Sequence, residues 1–138
     1  MKTKYDVVVI GFGKAGKTLA AKLSKAPKSV ALIEKDADMY GGTCINVGCI
    51  PSKRLITDAQ SSPKGDFPAK EEYYKNTIEE KKKLTAALRK ANYDKLIQAG
   101  VDIIDGMATF TDEHHINVLT KEGVVGIEGT EFIINTGS

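Results

Sequence analysis

The sequence predicts an α/β fold, a parallel sheet extended by a small antiparallel β-meander. Two short, β-branched, unbroken apolar runs at 5–10 and 30–34 flank a stretch with helical spacing. Continuous apolar strands of this kind belong to a parallel sheet buried on both faces. Between Ala108 and Ile127 the apolar residues alternate instead (Phe110, Ile116, Val118, Val124, Ile127), the pattern of strands with one buried face. At 138 residues the chain is long enough for one domain with a hydrophobic core.

Taken in order, residues 5–10 form the first strand. Gly11-Phe12-Gly13-Lys14-Ala15-Gly16 follows, and Leu19, Ala20 and Leu23 place a helix over 17–25 that Pro27 ends. Residues 30–34 form a second strand finishing on Glu34, so 1–37 reads as a βαβ unit. Residues 38–58 hold both cysteines of the chain, Cys44 and Cys49. The polar stretch 60–70, with Pro63, Gly65 and Pro68, reads as a loop. Over 71–99, Ile78, Leu84, Leu88, Leu96 and Ile97 fall on one face, giving one long helix or two shorter ones. Gly100 is placed to cap it. Residues 101–104 form a strand, the meander follows, and a last apolar strand over 131–135 runs into Thr136-Gly137-Ser138.

Composition narrows the function. Twenty basic against eighteen acidic side chains leave a net charge of +2, too slight for a nucleic-acid partner. No apolar run approaches the roughly 20 residues of a membrane span. The start, MKTKYDVVVIGFG, reads as a first strand and not as a secretory leader. The expected compartment is therefore the cytoplasm, where close cysteine pairs are catalytic or metal-binding more often than structural.

The glycine turn has the context of a dinucleotide-binding, Rossmann-like fingerprint: it follows a strand, opens a helix, and precedes an acidic strand end. Gly11 permits the tight turn, Gly13 lets backbone approach a pyrophosphate, and Gly16 lets the helix pack near the strand. The helix N-terminus offers free N–H groups to phosphates. Glu34, followed by Lys35, is placed to accept ribose hydroxyls; the competing reading is a structural turn with Glu34 a solvated strand end.

Three readings compete for the cysteines. Zinc needs about four ligands, and beyond the two cysteines the chain offers only His114-His115, beside acidic residues at a predicted hairpin turn. Two inert buried thiols are a second possibility, and a reversible disulfide the third. On an ideal helix, positions i and i+5 have Cα atoms about 8–9 Å apart, whereas a disulfide needs about 7 Å or less. A bridge therefore requires a distorted segment, which Gly48 and Pro51 would accommodate. A cysteine near a helix start is also expected to gain thiolate character.

The stretch GGTCINVGCIPSK resembles the active-site signature of the class I pyridine nucleotide–disulfide oxidoreductases: dihydrolipoamide dehydrogenase, glutathione reductase, mercuric reductase and relatives. The resemblance runs along the chain, through the glycine turn, the acidic residue after the second strand, Gly106-Met107-Ala108 and the terminal Thr-Gly-Ser. GFGKAGKTLA and MYGGTCIN look most like the reactive-chlorine-resistance reductases, flavoproteins associated with Cu(II) reduction.

The resemblance implies tightly bound, non-covalent FAD. It assigns Gly11, Gly13 and Gly16 to the pyrophosphate, Glu34 and Lys35 to the adenosine end, and Gly42 and Thr43 to the pyrophosphate and ribityl chain. It makes Cys49 the thiol against the flavin ring and Cys44 the interchange thiol facing substrate. Lys53 would sit near the flavin N5 edge, Ala108 near the adenine, and Thr136 and Gly137 beside the cofactor. Two of these have plain alternatives, Lys53 as a helix-surface lysine and Ala108 as a small residue at a strand turn. The implied reaction carries electrons from NAD(P)H through FAD to the Cys44–Cys49 disulfide, then to a disulfide or a metal ion such as Cu(II). Phe12 and Lys14 depart from the small residue and proline that many members carry in the turn.

Family enzymes also have an NAD(P)H-binding domain, the rest of the FAD domain, and a dimerisation domain that gives the partner subunit an acid/base pair. These would lie beyond Ser138, so the chain is expected to be a truncated FAD-binding domain of a homodimer, inactive alone. The alternatives are a non-catalytic flavin- or nucleotide-binding redox sensor and an inactive fragment.

Overall fold

The computed structural model describes residues 2–137; Ser138 of the terminal Thr-Gly-Ser lies outside them. The elements are β1 (Lys4–Ile10), α1 (Lys14–Leu23), β2 (Val30–Glu34), a 3₁₀ turn (Ala37–Met39), α2 (Thr43–Asn46), α3 (Cys49–Gln60), α4 (Phe67–Gln98), β3 (Asp102–Asp105), β4 (Met107–Phe110), β5 (His115–Thr120) and β6 (Gly123–Ile134). Hydrogen-bonded neighbours run β3-β2-β1-β6-β5-β4. The first three pairings are parallel and the last two antiparallel.

The unbroken apolar run of β1 is explained by its two covered faces. Val7 and Val9 point to one side, where Val30, Leu32, Phe12, Ala20, Leu96 and Val101 complete a core beneath α1 and α4. Val8 points to the other, where Tyr5, Ala31, Ile33 and Ile104 meet Ile116, Val118 and Ile127 of the meander. Successive strand residues face opposite ways, so one strand serves both cores. Each fully buried Val, Leu or Ile contributes about 1.5–3 kcal/mol, and these interleaved rows hold the three layers together.

Several predicted boundaries shift for local reasons. α1 begins at Lys14, three residues before the expected start, because the turn is complete at Gly13. The loop expected over 60–70 ends early: Asp66 caps α4 by accepting from the Ala69 N–H at 3.3 Å, and Pro68 sits in its first turn. The 71–99 region is one helix of 32 residues. It ends as expected at Gly100, whose φ of +82° lets the Val101 N–H reach back to the Leu96 carbonyl at 3.0 Å.

The meander and the terminal strand, expected as separate elements, share one strand. Glu128 of β6 stands opposite His115 of β5 and opposite Lys4 of β1, so a single 12-residue strand closes the meander and then joins the parallel sheet. One residue assigned to the inward alternation faces out: Val124, 63% exposed, pairs with the exposed Leu119 on the outer face. Phe110 stands opposite the buried Ile116 on the inner face and packs edge-on against Phe132, with ring centroids 5.0 Å apart, while remaining 43% exposed.

Candidate nucleotide cleft and cysteine pair

The glycine turn lies where β1 and β6 end side by side. Gly11 has φ +105°, and a Cβ there would fall 2.2 Å from the Asn135 carbonyl oxygen. Gly13 precedes α1 and offers no side-chain cap, so N–H groups of the first turn remain free for an anion. Gly16 lies behind the turn, where a Cβ would meet Asn135 Nδ2 at 2.5 Å and Val9 Cγ1 at 2.9 Å. It is a packing position behind the turn. Asn135, which the sequence reading did not single out, donates from Nδ2 to the Gly11 carbonyl at 3.1 Å while its N–H bonds the Ile10 carbonyl at 2.8 Å. It pins the turn to the end of β6.

The Glu34 carboxylate is partly engaged. One oxygen accepts from the Phe12 N–H at 2.8 Å and the other from the Asp36 N–H at 3.2 Å, fastening the glycine turn to the end of β2. Carboxylate oxygens have further acceptor capacity, so a ribose hydroxyl can still be received.

These pieces enclose a cleft of about 310 Å³ lined by Gly11, Gly13, Glu34, Lys35, Gly42, Thr43, Ala108, Thr136 and Gly137 together with Asn135 and Met39. Nine predicted residues from five separate parts of the chain thus meet. The volume lies in the roughly 300–1,000 Å³ range of small-molecule sites. With an uncapped helix N-terminus, glycines where a Cβ would collide, and a carboxylate at the far end, the residues fit the nucleotide end of FAD. A second cleft, of about 380 Å³ between α1 and α4, is lined by Lys17, Lys22, Lys25, Asn92 and Lys95; it contains neither the glycine turn nor the cysteines.

Cys44, Cys49 and Lys53 lie beside the first cleft on α2 and α3, outside its lining. Gly42 makes the connection: its φ is +83°, and a Cβ there would stand 2.8 Å from Gly13 Cα. The backbone leading into α2 is therefore pressed against the glycine turn. Lys53 is exposed on α3, and its carbonyl accepts the Thr57 hydroxyl at 2.9 Å.

The distortion required for a cysteine bridge is present. The N–H groups of Val47 and Gly48 both donate to the Thr43 carbonyl, at 2.9 and 2.8 Å. Gly48, at φ −101° and ψ −97°, then breaks the helix before α3 starts at Cys49. The Asn46 amide donates to the carbonyls of Tyr40 and Gly42, both at 3.0 Å, and so clamps the entry to α2. Both cysteines are free thiols, Cys44 half-buried and Cys49 exposed.

The expectation of thiolate character at a helix start needs correction for Cys44. Its hydrogen bond with Cys49, then burial and the Cys49 charge, push the thiol up from its ordinary range, while Lys14 and Lys17 pull it down.

Tyr40 anchors this segment. Its ring packs between Phe12 (centroids 5.0 Å apart) and Tyr93 (5.2 Å), and its hydroxyl donates to Asp105. Burial and the Asp105 carboxylate raise the hydroxyl above the ordinary tyrosine value, so it stays a donor at neutral pH.

Among the described residues no helix is long and apolar enough to cross a membrane. The profile of the pyridine nucleotide-disulphide oxidoreductase family matches residues 5–138. The chain is 46% identical over 136 residues to the probable pyridine nucleotide-disulfide oxidoreductase RclA of Escherichia coli (strain K12), covering 98% of this chain and 29% of that protein. It is 32% identical over 154 residues to a mercuric reductase of Streptomyces lividans, covering 99% and 31%. A solved Cu(II) complex of the HOCl-induced flavoprotein disulfide reductase RclA from Escherichia coli superposes with a TM-score of 0.86 at 46% identity, over 99% of this chain and 29% of that one. The chain spans under a third of the length of these relatives, which are oxidoreductases that include flavoprotein disulfide reductases. With its glycine turn, nucleotide cleft and adjoining cysteine pair, the chain belongs to the pyridine nucleotide-disulphide oxidoreductase family.

Proposed function

We propose that this chain is the N-terminal, FAD-binding portion of an NAD(P)H-driven flavin–disulfide reductase. The observation that carries this reading is the contact of Gly42 with Gly13, which joins the phosphate cradle to the helix of the cysteine pair. A nucleotide bound in the cleft has the redox pair at its side.

When bound, FAD supplies the two-electron relay from NAD(P)H to the Cys44–Cys49 disulfide. Gly11, Gly13 and the α1 N-terminus hold the pyrophosphate, with Gly16 keeping α1 close to β1. Glu34 and Lys35 hold the adenosine ribose, Ala108 borders the adenine, and Gly42, Thr43, Thr136 and Gly137 line the path toward the ring. Cys49, at the first position of α3 and exposed, is free to meet the flavin ring, and Lys53 places a cation on the same helix. The Cys44 sulfur attacks a disulfide acceptor, forming a mixed disulfide and expelling one thiolate. Cys49 then attacks Cys44, expels the second thiolate, and restores the intramolecular disulfide. A metal ion such as Cu(II) is the other acceptor class, a reading supported by the Cu(II) complex of RclA and by mercuric reductase among the relatives. NAD(P)H binding, the homodimer and the acid/base pair belong to the complete enzyme, which we place in the cytoplasm.

The complete protein should purify with FAD and, on two-electron reduction, develop a long-wavelength thiolate-to-flavin absorbance band. Cys49→Ser should abolish the band and Cys44→Ser retain it. The opposite pattern reverses the two roles, and a protein that takes up no flavin overturns the proposal.

A further inference from the structure

The second cleft, of about 380 Å³ between α1 and α4, is lined by cations. Lys17, Lys22 and Lys25 reach it from α1 and the turn that follows, and Lys95 from the last turn of α4, with Asn92 and Gln98 as neutral polar neighbours. Lys17 is half-buried and fixed in place. Its Nζ donates to Asn92 Oδ1 at 2.6 Å, and Asn92 is itself held by donating from Nδ2 to the Leu88 carbonyl at 2.7 Å. Among the described residues none of the four lysines pairs with a carboxylate. A half-buried ammonium hydrogen-bonded to a neutral amide is an incompletely compensated charge.

Two ordinary roles for helix lysines do not account for the group. Surface lysines are commonly matched by acids one turn away, and on α4 they are: Lys75 pairs with Glu71, Lys83 with Glu80 and Lys90 with Asp94. The α1 segment has no such option, because between Gly13 and Ser29 the chain carries five lysines and no carboxylate. Cations also offset the free carbonyls at helix C-termini, and Lys22 and Lys95 stand in last turns. Those carbonyls are already engaged. Ala20, Ala21, Lys22 and Leu23 accept from the Ser24 N–H, the Ser24 hydroxyl and the N–H groups of Lys25 and Ala26. At the end of α4, Lys95, Leu96 and Ile97 accept from the N–H groups of Ala99, Val101 and Gly100. Burial, ahead of the neighbouring Lys95 and Lys14, pulls the Lys17 ammonium below its ordinary value, as expected of a cation without a counter-ion.

We propose that the α1–α4 cleft binds a small polyanion with two or more linked phosphate groups, inorganic or esterified. Its volume lies in the roughly 300–1,000 Å³ range of small-molecule sites, which favours a compact ligand over a nucleic acid. A cleft lined by one sign of charge concentrates anions of the other, and lysine binds phosphate as a point charge. Length favours linked phosphates over a single one. Lys17 and Lys22 are five positions apart, so their stems leave α1 about 7.5 Å apart along its axis, and Lys25 lies further on. Linked phosphates can engage ammoniums at both ends of this row at once. The cleft shares no lining residue with the nucleotide cleft, so the site is additional to the disulfide-reductase reading and stands without it.

Isothermal titration calorimetry of the complete protein with tripolyphosphate and with fructose 1,6-bisphosphate tests this, the two probes separating an inorganic from an esterified source. At least one should bind one-to-one and about tenfold or more tighter than orthophosphate, and added salt should weaken it. Lys22→Glu/Lys25→Glu, at two exposed positions, should weaken that binding by about tenfold or more. Lys64→Glu/Lys70→Glu makes the same charge change around the start of α4, well beyond a Debye length from Lys95, and should leave binding within about twofold. Neither pair lines the nucleotide cleft, so binding lost with Lys22 and Lys25 is not binding in the flavin site. No saturable binding of either probe, binding no tighter than that of orthophosphate, or equal weakening by the two double variants overturns the proposal. Should the charge reversal prevent folding, Lys22→Gln/Lys25→Gln decides by the same readout, with a loss of about threefold or more expected.

Discussion

Replacing Gly11 by alanine isolates the turn that builds the cleft. A side chain at φ +105° costs about 1–2 kcal/mol in backbone strain. The added Cβ also falls 2.2 Å from the Asn135 carbonyl oxygen and 2.7 Å from its carbon. That carbonyl cannot swing away cheaply, because the Asn135 N–H is bonded to Ile10 and its amide to Gly11. Forcing it costs about 1–3 kcal/mol as overpacking. Alanine also restricts the unfolded chain, which returns up to about 1 kcal/mol. The net loss is about 2–4 kcal/mol, a large share of the roughly 5–15 kcal/mol that holds a domain folded. Urea unfolding followed by circular dichroism measures it: with a slope of about 1–3 kcal/mol/M, the midpoint should drop by roughly 1–3 M at unchanged slope. Gly13→Ala is the comparison, since Gly13 has an ordinary φ of −67° and its Cβ would press, at 2.8 Å, on the Asn135 side-chain amide and not on a carbonyl of the backbone. That variant should lose about 1 kcal/mol, the hydrogen bond of that amide to Gly11. A Gly11→Ala protein within about 1 kcal/mol of the parent would refute the reasoning.

Two further perturbations test how the site is braced. Tyr40→Phe removes the donation to Asp105 while keeping the ring between Phe12 and Tyr93, so it should cost only about 1 kcal/mol; Tyr40→Ala, which also loses the stacked ring, should cost clearly more in the same urea assay. Asp6 accepts from the Ser29 N–H at 2.6 Å and hydroxyl at 2.7 Å, which hold its carboxyl below the usual range. A depressed folded pKa stabilises above the unfolded value of about 3.9 and loses that stabilisation as pH falls through the folded value. Asp6→Asn should therefore flatten the acid limb of the stability profile below about pH 4, and parallel profiles for the two proteins would count against the assignment.

Much of the site was legible because its signals are local. Strand 5–10, the glycine turn and strand 30–34 follow each other within one βαβ unit, and periodicity together with glycine placement identifies such a unit from neighbouring residues alone. The cysteine segment was equally readable, down to the break at Gly48, since helix geometry forbids a bridge between i and i+5 positions without one. Boundaries at Lys14 and Phe67 were missed by a few residues because the end of the glycine turn and the Asp66 cap, and not apolar spacing, set them.

What only the tertiary structure decided involves partners far apart in sequence. That β6 is one strand serving both meander and parallel sheet depends on the opposite pairing of Glu128 with His115 and Lys4, which alternation within either half does not reveal. Asn135 is one polar residue among many until β6 lies beside β1 and brings its amide to Gly11. Tyr40 becomes an anchor only when Phe12, Tyr93 and Asp105 arrive from three other elements. Lys17, one lysine among several on its helix, becomes a fixed cation because Asn92 on α4 accepts from its ammonium at 2.6 Å. The sequence by itself determined the elements, the phosphate turn and the cysteine pair, all products of short-range geometry. The charges and contacts surrounding that pair were decided by packing, because burial and Coulomb forces act between residues that only the folded chain makes neighbours.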